Sequence, residues 1–284
     1  IGLRNNVERK TRIWNNDHRN FGALGAVVAS FVGAEGAVIG NFIEGISGIQ
    51  LDNWQITYIV GGCLGLFLLL LRVGTIESTY FENMEQNKNI QKGNLKILFY
   101  NKKNFIKYLH CIVIGIPIWY VVGLLVMNSK DNFAPLMGIH DIENGQAVMF
   151  TYIGLSVGDL ISGVLSQWLR SRKKVVGLYL LFTMVLITSF LFFMDGVSKD
   201  AYYLMCFLLG TATGYWALFV SIAAEQFGTN IRSTTANTIP NFVRGSVNLI
   251  MLVFGLLTAL NLGDAISAYI VGVIFILLAL YSLS

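Results

Sequence analysis

Apolar residues in this chain fall into long, nearly unbroken runs separated by polar links, and neither run nor link alternates residue by residue. The runs cover about 21–43, 56–73, 105–127, 146–169, 175–194, 201–223, 238–261 and 265–283. A helix crossing a hydrocarbon core of roughly 30 Å needs about 20 apolar residues, the length of these runs. Membrane strands are shorter, with polarity alternating along them. Lipid offers no partner to open backbone groups, so helices are the spanning solution that remains. The pattern predicts an all-α, polytopic membrane protein with eight transmembrane helices. The one long polar stretch between runs, 74–104, divides the chain into a two-span part (1–73) and a six-span part (105–284).

Composition narrows the function classes. The 284 residues are 55% hydrophobic and only 13% charged, with a mean hydropathy of +0.62. Soluble domains carry about 25% charged residues. This excludes an ordinary cytosolic enzyme, a nucleic-acid-binding protein and a disordered chain. The net charge of +4 matters less than its placement. With the N-terminal arm taken as cytoplasmic, the inner segments 1–20, 72–107, 170–174 and 225–244 hold 18 of the 20 lysines and arginines. Only Lys130 and Lys199 fall outside. That asymmetry obeys the positive-inside rule and alternates at each crossing. Ile1 opens the chain and Ser284 ends it inside an apolar run, so a fragment of a longer protein is expected.

Enzyme motifs find no support. Gly154-Leu-Ser156-Val-Gly158 fits the G-x-S-x-G pattern, which requires a sharp strand-to-helix turn, but it lies inside an apolar run that reads as helix. His18, His110 and His140 are far apart in sequence, and Cys63, Cys111 and Cys206 have no disulfide-framework or metal-ligand spacing. No cofactor is expected. Gly36/Gly40, Gly61/Gly65, Gly154/Gly158 and Gly210/Gly214 have the spacing that lets membrane helices approach closely.

Charge inside the spans says more. Glu35 lies fourteen residues past Phe21, about 21 Å into the bilayer from the inner edge. A carboxylate there costs roughly 2.5–3.5 kcal/mol and favours a bundle interior or a wet cavity, which makes Glu35 a candidate for proton coupling or substrate contact. Asp159 lies late in the fourth span, ahead of Arg170, Arg172, Lys173 and Lys174, where it can brace a basic turn. Glu225 and Arg232 flank the link after the sixth span and Arg244 opens the seventh, all expected as gate or bracing groups. Pro117 precedes Trp119 and Tyr120 and predicts a kink. Tyr215 and Trp216 follow the Gly210/Gly214 pair. Asn237, Asn241 and Asn248, spaced four and seven apart, share one helical face.

The inner link Glu8-Arg-Lys-Thr-Arg12 and the link Glu225-Gln-Phe-Gly-Thr-Asn-Ile-Arg232 resemble the equivalent loops before the fifth and eleventh helices of the major facilitator superfamily. Gly163-Val-Leu165-Ser166, followed by Gln167, Trp168 and the basic run, resembles that family's G-x-L-x-D-R-x-G-R-R loop, with its Asp and Arg replaced. The resemblance covers essentially the whole chain. It implies a major-facilitator-like bundle in which 1–73 ends the N-terminal six-helix half, 74–104 is the cytoplasmic interdomain loop and 105–284 is the C-terminal half. It also implies alternating access about a central cavity, with Trp119, Tyr120, Tyr215, Trp216 and Asn241 as cavity candidates. The expectation is a secondary transporter of a small solute, a proton-coupled metabolite symporter in a bacterial inner membrane. It would act as a monomer once the first four helices are present, with the lipid bilayer and the solute as partners and no nucleic acid. A drug or toxin exporter of the same architecture, a membrane-embedded acyl transferase and a non-transporting scaffold are the alternatives.

Overall fold

A computed structural model describes residues 40, 44–45, 52–72 and 99–283. Apart from Gly40, the first predicted span lies outside the described residues, as do Glu35, the N-terminal arm and most of 74–104. Among the described residues all regular structure is helical.

Six helical spans are long and apolar enough to cross a membrane: Lys102–Val126, Asn144–Trp168, Arg172–Phe192, Lys199–Glu225, Thr234–Ala259 and Asp264–Leu283. They coincide with the six predicted over 105–283. A further helix, α1 (Asn53–Arg72), coincides with the predicted span 56–73, but its apolar stretch Trp54–Leu70 is shorter than the other six. Along α1, Leu66, Phe67, Leu68 and Leu70 are all exposed.

Each helix that opens a span starts ahead of its hydrophobic run, from one residue, at Asp264 for the run from 265, to nine, at Thr229 for the run from 238. Polar capping residues account for this in three helices. Asn101 accepts from Lys103 N at 3.0 Å to start α2 (Lys102–Trp119). Ser171 accepts from Lys174 N at 3.4 Å at α4 (Arg172–Phe192), and Ser198 from Ala201 N at 3.3 Å at α5 (Lys199–Ala212). The cap satisfies an orphan N–H, so the helix begins in a charged first turn that hydropathy omits.

The last 7 of the 25 residues of the span Lys102–Val126 are π-helical, over Tyr120–Val126. Pro117 lies inside α2, and Tyr120 N reaches back to the carbonyls of both Ile116 and Pro117. A proline without a donor disturbs the i→i−4 ladder, and a π-helical stretch re-pairs it. The predicted kink is thus a change of helical pitch. This segment is the centre of the bundle, with Tyr120, Val121, Leu124, Leu125 and Val126 all fully buried.

The remaining helices are α3 (Asn144–Trp168), α6 (Trp216–Glu225), α7 (Thr229–Ala259) and α8 (Asp264–Leu283). α3 lies along α5, α2 against α7 and α8, α4 against α5 and α8, and α6 against α7. Gly154 and Gly158 on α3 face Phe207, Thr211 and Gly214, while Gly210 faces Thr151. The two small-residue pairs singled out in the sequence are therefore the two sides of one interface. α7 is the least buried span and α2 the most.

Arg170, Lys173 and Glu225 lie at one end of the bundle, and Lys130 and Lys199 at the other. If the bundle spans a membrane, single cysteines at Lys130 and Lys199, in a protein cleared of its own cysteines, are expected to react with impermeant thiol reagents from one side. A cysteine at Lys173 should react only from the opposite side. Labelling of all three from one side would refute six crossings.

Candidate functional site

The span Lys199–Glu225 is two helices. α5 stops at Ala212 and α6 starts at Trp216. The Thr213 hydroxyl donates to the carbonyls of Leu209 at 3.1 Å and Gly210 at 3.0 Å. Side-chain bonds of this kind compete with helical continuation. Gly214 N then donates to Thr211 O at 3.1 Å and Tyr215 N to Thr213 O at 2.8 Å, in two tight turns.

A restarted helix leaves its first N–H groups without helical acceptors. Asp159 supplies one from α3: its Oδ1 accepts from Ala217 N at 3.1 Å. The Trp216 N–H also points at this carboxylate. Asp159 is only 6% exposed, and the positive end of the α6 dipole offsets the cost of burying it. Neighbouring hydroxyls fix the frame. Tyr179 OH donates to Gly158 O at 2.9 Å and Thr183 Oγ1 to Ala212 O at 3.0 Å, both reaching from α4.

Trp216 also meets α7. The guanidinium carbon of Arg244 lies 5.4 Å from the centroid of the Trp216 ring, within cation–π range. Arg244 Nη1 donates to Asn241 Oδ1 at 3.2 Å. Arg244 is exposed, as are Asn237, Asn241 and Asn248 on the same helix. Among the described residues no carboxylate forms an ion pair with it; the two ion pairs there are Lys130–Glu143 and Arg172–Glu225.

These groups share a depth. Asp159 is nine residues from the end of its span at Trp168, Trp216 nine from Glu225, and Arg244 ten from the start of its span at Thr234. At 1.5 Å per residue that is roughly 14 Å, the middle of a core about 30 Å thick. A guanidinium there costs roughly 2.5–3.5 kcal/mol on insertion scales unless water or an anion accompanies it.

No protein-family model, curated protein or solved structure matches this chain. Chemistry therefore has to be read from the side chains themselves.

The other candidates separate into three groups. Tyr120 and Tyr215, expected on a cavity wall, are fully buried inside the bundle. Their hydroxyls donate to backbone carbonyls, Tyr120 to Ala268 O at 2.7 Å and Tyr215 to Ile114 O at 3.1 Å. Trp119 is partly buried against the same core. Asp159 points at α6 and does not brace the basic turn.

At the basic end, Arg172 Nη1 and Glu225 Oε1 lie 2.6 Å apart, joining the start of α4 to the end of α6. Each charge opposes the dipole of its own helix end, so the pair offsets two unfavourable placements. Arg170 is exposed in the short α3–α4 link with a left-handed backbone, φ 49°, and Arg232 is exposed near the start of α7. Ser156 lies within α3, where its hydroxyl donates to Tyr152 O at 2.9 Å, so no strand-to-helix turn presents it. Among the described residues no three His, Cys, Asp or Glu side chains converge as a metal site.

The sequence reading missed Tyr179, Thr183 and Thr213. Thr213 had a signal in the run Gly210-Thr-Ala-Thr-Gly214, where small and β-branched residues interrupt the helix formers; Tyr179 and Thr183 lie outside that run, on α4.

Proposed function

We propose that this chain belongs to a secondary active transporter of the major-facilitator type, which carries a small solute by alternating access and couples it to protons. One observation carries the reading: a transmembrane helix broken at mid-depth, capped on one side by the buried Asp159 and stacked on the other against the intramembrane Arg244. Broken helices mark binding sites in transporters, because irregular backbone is tolerated at membrane depth only where it is buried or lines a cavity. Ionisable groups within spans mark solute and ion pathways for the same energetic reason.

In this reading the exposed polar face of α7 looks onto the cavity between two halves. Trp216, Asn241 and Arg244 line it, and Tyr120 and Tyr215 hold α2 in place behind it. The Arg172–Glu225 pair, with Arg170 and Arg232 nearby, forms the cytoplasmic gate. The basic end, the N-terminal arm and 74–104 face the cytoplasm of a bacterial inner membrane. Glu35 supplies the proton site.

The test is uptake by the full-length protein in proteoliposomes. Glu35→Gln is expected to abolish accumulation driven by a proton gradient while leaving counterflow exchange intact. Accumulation that stays unchanged in the variant at every pH would remove Glu35 from the coupling step.

A further inference from the structure

We infer that Arg244 is the group that recognises the transported solute, and that the solute carries a carboxylate. The inference rests on the transport reading above and gives it a substrate class.

A guanidinium is a delocalised cation that presents its donors in a planar fork. Arg244 lies at mid-depth with its side chain exposed, and among the described residues two carboxylates on or bonded to α6 are engaged elsewhere. Asp159 caps α6 through Ala217 N, and Glu225 pairs with Arg172 at the basic end. Water or an anion must accompany such a charge, and a transported anion is one that comes and goes.

The surroundings also fix its geometry. The guanidinium carbon lies over the Trp216 ring, 5.4 Å from its centroid, and Nη1 is held by Asn241 Oδ1. Among the described residues the bond to Asn241 is the one hydrogen bond that engages the fork, and two further parallel N–H groups match the two oxygens of a carboxylate. Asn248 lies one turn beyond Arg244 on the same exposed face, able to bond a hydroxyl or carbonyl elsewhere on the solute. One fixed positive charge balances one negative charge. A phosphate carries roughly 1.5 to 2 negative charges at neutral pH, more than the one positive charge offered here.

The experiment uses the intact protein purified in detergent, with acetate, lactate and gluconate as probes. Acetamide, lactamide and inorganic phosphate serve as comparisons. Thermal unfolding and tryptophan fluorescence report binding. At least one carboxylate is expected to raise the unfolding midpoint and alter fluorescence, while its amide and phosphate do neither. Arg244→Lys should weaken that carboxylate about tenfold or more, because an ammonium lacks both the fork and the stack. Without ligand its unfolding midpoint should match the parent protein.

The inference is overturned if no carboxylate acts, if the amides or phosphate act equally well, or if the response survives Arg244→Gln. It is also overturned if the double variant Glu35→Gln/Arg244→Gln regains stability that Arg244→Gln alone has lost, which would assign Arg244 to an internal ion pair. Gradient-driven uptake of an uncharged solute by Arg244→Gln would sink this inference and leave the transporter reading standing. Carboxylate binding with no uptake of any solute would do the reverse.

Discussion

Gly158→Leu is expected to leave no folded, monodisperse protein, and Gly158→Ala to be among the most damaging single-methyl additions in the chain. A Cβ at Gly158 would sit 2.3 Å from Thr211 O and 2.9 Å from Gly214 Cα. The same holds across the interface: a Cβ at Gly154 meets Phe207 O at 2.0 Å, and one at Gly210 meets Thr151 O at 2.0 Å. Every one of these obstacles is backbone, so no rotamer change relieves it and α3 and α5 must move apart. Overpacking a tight interior costs about 1–3 kcal/mol when side chains can adjust. Here the alanine variants should reach or exceed the top of that range. Gly163 and Gly255 provide the comparison, since nothing lies within 4 Å of a Cβ at either. Gly163→Ala and Gly255→Ala should be neutral, or stabilising by up to about 1 kcal/mol through helix propensity. Thermal unfolding followed by size-exclusion chromatography separates the two sets. Equal losses at Gly158 and Gly163 would mean that α3 and α5 do not touch through their glycines.

The membrane spans were legible because their signal is local. A 20-residue apolar run needs no knowledge of its neighbours, and helices over 105–283 follow it to within a few residues. The Gly154/Gly158 and Gly210/Gly214 spacings were equally readable, although nothing in the sequence said that the two pairs face each other. Orientation about the helix axis was less readable. A helix apolar all round gives no stripe to mark its inner side, so Tyr120 and Tyr215 read as cavity walls when they are buried hydroxyl donors inside the bundle. The break before Trp216 escaped for a related reason. Hydropathy runs smoothly from 201 to 223, and the interruption depends on Thr213 bonding its own helix and on a carboxylate arriving from α3. Asp159 was conspicuous as a charge, but its nearness in sequence to the basic turn suggested the wrong partner. Asn241 was visible because α7 carries a polar stripe on an otherwise apolar helix, whereas Arg244 was visible only as a charge and was expected at the cytoplasmic gate, because hydropathy starts the span at 238 and α7 starts at Thr229.

Asp159→Ala is expected to destabilise the bundle by about 2–4 kcal/mol, from a lost helix cap and a buried N–H left without an acceptor. Asp159→Asn keeps an oxygen for Ala217 N and gives up only the attraction of a full charge to the α6 dipole, so its loss should be near 1 kcal/mol. The location of the damage is as informative as its size. A cap acts on the first turn of α6, so hydrogen exchange in Asp159→Ala should accelerate at Trp216, Ala217 and Leu218. A carboxylate bracing the basic turn would instead protect Leu169, Arg170 and Ser171, and exchange concentrated there would overturn the capping role. Loosening that first turn also frees the Trp216 ring on which Arg244 rests. Asp159→Ala should therefore weaken whatever Arg244 binds without touching the guanidinium, while Asp159→Asn preserves binding. Two residues on different helices, joined by no hydrogen bond or ion pair, would then report on one joint, the restart of a broken helix at the middle of the membrane.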